Sequence, residues 1–108
     1  MIMTFTDQNV HDIIASGQPV VIDFWATWCA PCVRMSPIVE ELAKEYEGKV
    51  VIGKYNIEEE NDLATEYRIM SIPTILFFKN GEQISSLRLA GAQPKATLQE
   101  KIEQLLAL

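Results

Sequence analysis

Trp25-Ala26-Thr27-Trp28-Cys29-Ala30-Pro31-Cys32 stands between two segments of different hydrophobic pattern. Before it, Val20-Val21-Ile22-Asp23-Phe24 is a nearly unbroken apolar run, and Val20 to Ala26 reads as a central strand with no wet face. After it, Met35, Ile38, Val39, Leu42, Ala43 and Tyr46 recur along one face of a helix that runs to Gly48. The Cys-x-x-Cys pair therefore falls where a strand hands over to a helix, which is a redox pattern rather than a packing one. A thiol at a helix N-terminus faces unpaired backbone N–H groups and the positive end of the helix dipole, and both favour the thiolate. Cys29, at the first turn, gains most, while Cys32, one turn inside, is expected to be more buried. That asymmetry makes Cys29 the attacking thiolate and Cys32 the resolving thiol.

Other uses of two cysteines fit less well. A purely structural disulfide closing so small a loop constrains the unfolded chain by only about 2 kcal/mol. Zinc needs four ligands, and His11 lies far off on a first helix, so no metal site is expected. Haem attachment needs a His directly after the second Cys, where Val33 stands.

On the N-terminal side, Thr4-Phe5 reads as a short edge strand or lead-in. Thr6 is placed to cap a first helix, with Phe5 and Val10 as a hydrophobic staple across it. Val10, Ile13 and Ile14 give that helix its stripe, Gly17 ends it, and His11 lies off the stripe as a surface residue. Asp23 is the anomaly of the Val20 run. A dry ionised carboxylate is costly, so Asp23 should shift its pKa upward or find a cation.

On the C-terminal side, Pro37 sits inside the second helix and should kink it. Val50 to Tyr55 is a buried strand parallel to the first, since a helix connects them. Lys54 falls within it and, on its own, reads as a strand-end residue facing water. Glu58-Glu59-Glu60 is an acidic, solvated loop, and Asn61 or Asp62 caps a short helix through Leu63, Ala64 and Tyr67. Ile75-Leu76-Phe77-Phe78 is a third core strand. Asn80-Gly81 is a strong hairpin signal, so Gln83 to Leu89 returns antiparallel. Gly91 ends that strand, Pro94 suits a first helical position, and Leu98, Ile102, Leu105 and Leu106 line a final helix. The order β-α-β-α-β-α-β-β-α gives an α/β protein with a mixed sheet and helices on both faces.

The 108 residues make one domain, 1–108, in which folding buries roughly 65% of the unfolded surface. Hydrophobic residues at 48% and charged residues at 22% are ordinary for a globular domain. A formal net charge of −6 argues against nucleic acid or an anionic membrane as partner. No apolar run approaches the ~20 residues of a membrane-spanning helix. Met1-Ile2-Met3-Thr4-Phe5 has neither the basic start nor the apolar core of a signal peptide, which predicts a cytoplasmic protein.

The string from Asp23 to Cys32, DFWATWCAPC, with Pro37 five residues on, resembles the active-site segment of thioredoxins. Lys54 with Asn56-Ile57, Ile72-Pro73-Thr74, Phe77-Phe78-Lys79-Asn80-Gly81 and Gly91-Ala92 resemble further segments of that family, in its order. The resemblance implies the thioredoxin fold, a central mixed five-stranded sheet of order 1-3-2-4-5 flanked by four helices. It implies a cis Ile72–Pro73 bond beside the cysteines, with the Ile72 backbone offering strand-like hydrogen bonds to a substrate chain. Trp28, Ala30, Pro31, Ile72, Pro73, Gly91 and Ala92 would form an apolar rim around Cys29. Asp23 would help deprotonate Cys32, with Lys54 as its partner. The implied activity is reduction of protein disulfides by a monomer that binds no cofactor. Thioredoxin reductase, a separate flavoprotein drawing on NADPH, would regenerate the dithiol. The departures are Ala30 for the usual Gly, Val33 for the usual Lys, and Glu58 for a frequent Asp. The competing readings are an oxidase or isomerase of an oxidising compartment, and a scaffold that uses the fold without the chemistry.

Overall fold

The apolar run becomes β2 (Val20–Trp25), and its first five residues are all buried. In this computed structural model, which describes residues 2–108, β2 is the middle of the sheet. It pairs in parallel with β3 (Val51–Asn56) on one side and antiparallel with β4 (Thr74–Lys79) on the other. The short β1 (Met3–Phe5) adds in parallel outside β3, so with β5 (Glu82–Gln83) beyond β4 the order β1-β3-β2-β4-β5 is the one the resemblance implies. Gly53 lets β1 lie that close. A Cβ there would stand 2.4 Å from the Met3 carbonyl oxygen and 2.6 Å from the Phe5 ring.

The last strand differs from expectation. Asn80 and Gly81 turn with φ of 56° and 82°, as a tight two-residue hairpin requires. The returning chain then pairs with β4 in two pieces, β5 (Glu82–Gln83) and β6 (Leu89–Ala90). Gln83 faces Phe78 and Leu89 faces Ile75, so six steps on the returning side oppose three on β4. The surplus is looped out as a 3-10 turn, Ser85–Leu87, which drops Leu87 into the core.

Alternation along β2 sorts the core into two layers. Val21 packs with Met35, Val39, Leu42, Leu98 and Ile102, under α2 (Ala30–Glu45) and α4 (Lys95–Leu106). Val20, Ile22 and Phe24 pack with Val10, Ile14 and Leu63 on the opposite face, under α1 (Val10–Ala15) and α3 (Asp62–Glu66). Pro37 lies inside α2, on its exposed side. Pro94 is the N-cap of α4 rather than its first helical residue.

Two helix starts also depart from the sequence reading. Thr6 and Asn9 hydrogen-bond reciprocally, Asn9 N–H to Thr6 Oγ1 at 3.2 Å and Thr6 N–H to Asn9 Oδ1 at 2.9 Å. They close a turn ahead of α1, which begins only at Val10. At α3, neither Asn61 nor Asp62 supplies the cap. The Asp7 carboxylate does, accepting from the N–H groups of Asn61, Asp62 and Leu63 at 2.9–3.1 Å and from the Tyr55 hydroxyl at 2.7 Å. At the other end, the Arg88 guanidinium donates to the carbonyls of Tyr67 and Arg68. The short helix is thus held at both termini by residues distant in sequence. His11, half exposed as expected, lies 2.9 Å from Glu66 on this face, and that hydrogen bond raises its pKa.

Candidate active site

Cys29 is the N-cap of α2. Its extended backbone (φ −93°, ψ 102°) turns the chain from β2 into the helix, and Pro31 suits the first turn because no helical N–H is needed there. Cys29 and Cys32 are joined as a disulfide, with Cα atoms 5.3 Å apart. Cys29 Sγ accepts the Cys32 N–H at 3.3 Å, so the sulfur already occupies the place of a helix-capping acceptor. Cys32 is fully buried and Cys29 is 6% exposed, the asymmetry that their positions predict.

Ile72–Pro73 is cis, as the resemblance implies, and the Ile72 carbonyl oxygen lies 3.9 Å from Cys29 Sγ. Gly91 joins this cluster by donating its N–H to the Pro73 carbonyl at 2.8 Å, with φ of 89°. Trp28 is 69% exposed and flanks the pair; Ala30 and Ala92 are exposed, and Pro31 is half-buried. Behind the disulfide, Ala26 and the two cysteines pack with Trp25, Ile57 and Ile72.

Asp23 lies on the α2 and α4 side of β2, 1% exposed. Among the described residues neither carboxyl oxygen has a hydrogen-bond partner, and Asp23 lines a cavity of only about 10 Å³ together with Val39, Leu42, Ile75 and Leu98. Burial pushes its pKa up to about 7, against the opposing pull of Lys54. Lys54 is not the bonded partner of Asp23. The two face each other across β2 and β3, but the ammonium donates to Ser36 Oγ at 2.5 Å and sits 3.8 Å above the Trp25 ring. The reason is solvation: the half-buried route to Ser36 and the indole keeps the ammonium near water, whereas the Asp23 cavity is apolar. Lys54 acts on Asp23 only through space.

Glu58 is exposed, as a solvated acidic loop predicts, but it is not free. In the structure one of its oxygens accepts from both the N–H and the hydroxyl of Thr27, at 2.6 and 2.7 Å. Those bonds hold its pKa below the usual carboxylate range and pin the loop just before Trp28. Also missed is an open groove of about 320 Å³ that runs from Trp28 and Ile72 to Ile57, Ile69 and Met70. Its signal is faint in sequence, since single apolar residues in loops carry no period. Among the described residues, no group of three or more His, Cys, Asp or Glu is placed to hold a metal, and no helix is long and apolar enough to cross a membrane.

Comparison with known proteins agrees with this geometry. The Thioredoxin family model matches residues 1–104. The chain is 55% identical to "Thioredoxin M-type, chloroplastic" of Pisum sativum, over 85% of this chain and 52% of the relative. It is 50% identical to the protein of the same name from Spinacia oleracea, over 93% of this chain and 58% of the relative. Against "Thioredoxin" of Staphylococcus saprophyticus it is 46% identical over 95% of this chain and 96% of the relative. The chain thus spans just over half the length of the two plant relatives and nearly all of the bacterial one. With its cis-proline cluster and a disulfide capping α2, the chain belongs to the thioredoxin family.

Proposed function

We propose that the protein, as one domain over residues 1–108, reduces disulfides in client proteins by dithiol–disulfide exchange. The observation that carries this reading is the position of Cys29 Sγ, which caps α2 and accepts a backbone N–H at 3.3 Å. In the reduced protein, the same N–H and the helix terminus stabilise a thiolate. That thiolate attacks one client sulfur, the client S–S bond breaks, and the second client sulfur leaves as a thiolate that takes up a proton. Cys32 then loses its proton to the Asp23 carboxylate and attacks Cys29 Sγ, which releases the first client sulfur. Two electrons have passed to the client, and the Cys29–Cys32 bond is restored. The redox centre is the disulfide itself, without a bound cofactor.

Asp23 fits the acceptor role because its pKa of about 7 leaves it able to take a proton near neutral pH. Lys54 tunes Asp23 through space and is a positioning residue. Trp28, Ala30, Pro31, Ile72, Pro73, Gly91 and Ala92 form the apolar rim that receives the client, and the Ile72 backbone binds it as an added strand. A thioredoxin reductase fed by NADPH renews the dithiol, the protein works as a monomer, and its compartment is the reducing cytoplasm. The test is a pair of variants. Cys29→Ser should abolish reduction of insulin, whereas Cys32→Ser should accumulate a mixed disulfide through Cys29. In the reduced protein, alkylation should reach Cys29 first; faster labelling of Cys32 reverses the roles.

A further inference from the structure

We propose that Met70 is a site of reversible oxidation by hydroperoxides, and that its sulfoxide weakens docking of the apolar client segment that flanks the scissile disulfide. The inference rests on the exchange reading above and adds a regulatory modification to the same surface. Met70 is 90% exposed, far more than any other exposed large apolar side chain of the described residues. By contrast, Met35 is 2% exposed and Met3 is half-buried in β1.

The position of Met70 gives its oxidation state a consequence. It lines the groove of about 320 Å³ that ends at Trp28 and Ile72, beside Cys29. It also lines a second groove, of about 520 Å³, that continues along α3 past Ala64 to Arg68. Ile57 and Ile69 border both, so Met70 stands where the two join. An extended client chain bound at Ile72 and running away from Cys29 meets this apolar strip next. The continuity with the Cys29 rim is what assigns the strip to a client segment.

The loop that presents Met70 is pinned on either side. Ile69 N–H donates to the Ala64 carbonyl at 2.9 Å, and Thr74 Oγ1 donates to the Ser71 carbonyl at 2.7 Å. Met70 itself is absent from both core layers. Its oxidation therefore leaves the fold intact and changes only the surface offered to the client. In the step, the thioether sulfur takes the terminal oxygen of a hydroperoxide. The O–O bond breaks, an S–O bond forms, and water or an alcohol leaves. The sulfur is oxidised and the peroxide reduced by two electrons each; in reverse, a sulfoxide reductase passes two electrons and two protons from a dithiol, which becomes a disulfide, and the oxygen leaves as water. An apolar, pliable side chain becomes a polar one.

The test treats the disulfide form with hydrogen peroxide, removes the peroxide, and then reduces the disulfide with dithiothreitol. Peptide mass spectrometry should find the added oxygen on Met70 before Met35 or Met3. The KM for insulin should rise about three- to tenfold with kcat little changed. Reduction of 5,5′-dithiobis(2-nitrobenzoate), too small to reach the strip, should be unaltered. Met70→Leu, whatever its own KM, should show no change in KM on peroxide treatment, while Met70→Gln should imitate the sulfoxide. An unchanged insulin KM after Met70 is oxidised, or an equal loss in peroxide-treated Met70→Leu, overturns the proposal. So does sedimentation showing that oxidation dissociates a dimer, which would put a second copy on the strip. If the untreated protein fails to reduce insulin at all, the exchange reading falls, and this inference with it.

Discussion

Asp23 is where residue chemistry and fold oppose each other most directly. Its folded pKa of about 7 lies above the unfolded value of about 3.9, so between the two the native state holds more protons than the unfolded chain. Its contribution to stability is therefore greatest below the unfolded pKa and is lost as pH rises towards 7. Asp23→Ala should remove that slope and raise stability at pH 7.5 by about 1–3 kcal/mol, after a small cavity cost. The same variant should slow turnover at the resolving step. Urea melts from pH 4 to 8 beside insulin reduction check both halves; an unchanged slope together with full activity would remove Asp23 from the mechanism. The burial of Asp23 was legible because apolar residues enclose it on both sides in the chain. The course of Lys54 was not, because Ser36 and Trp25, which receive its ammonium, come from α2 and the end of β2.

Among the elements, α3 shows how a short helix can depend on distant residues. Its five residues are too few to be stable alone, and its N-terminal N–H groups are satisfied by a carboxylate 54 to 56 positions earlier. Burial pushes Asp7 up, but the bonds from Asp62, Tyr55, Asn61 and Leu63 outweigh it and hold its pKa at about 2. Its stabilisation is thus present above pH ~4 and is lost as pH falls towards 2. Asp7→Ala should cost about 1–2 kcal/mol at pH 7 and speed hydrogen exchange at Leu63. Exchange at Leu63 matching the parent protein would mean that α3 holds its own terminus. Local signals placed β2, β3, β4 and the Asn80-Gly81 hairpin within a residue or two, since each carries its own period or turn chemistry, and α2 was placed too, though it ends at Glu45, three residues before Gly48. Nothing local to Asn61 or Asp62 announces Asp7. The 3-10 turn at Ser85–Leu87 was hidden likewise, because it arises from a mismatch with β4 rather than from its own residues.

At the scale of the whole molecule, strand order is a long-range property, and the family resemblance supplied it where periodicity could not. β2 comes early in the chain, yet both of its neighbours, β3 and β4, come later. During synthesis, β2 leaves the ribosome with no strand to pair with, and the Asp23 carboxyl stays in water. Once β3 has emerged, the chain can form the β1-β3-β2 half of the sheet. The open side of β2, Val20-Val21-Ile22-Asp23-Phe24, is then an uncovered apolar edge, the kind that recruits strands from other chains. A fragment of residues 1–72 should therefore aggregate at micromolar concentration, whereas one of residues 1–92, which includes β4 and its hairpin, should aggregate far less by light scattering. Equal scattering from the two would mean that the exposed edge is not the hazard. Translation of the segment between residues 56 and 79 is, on this reading, the interval in which the nascent chain most needs a chaperone.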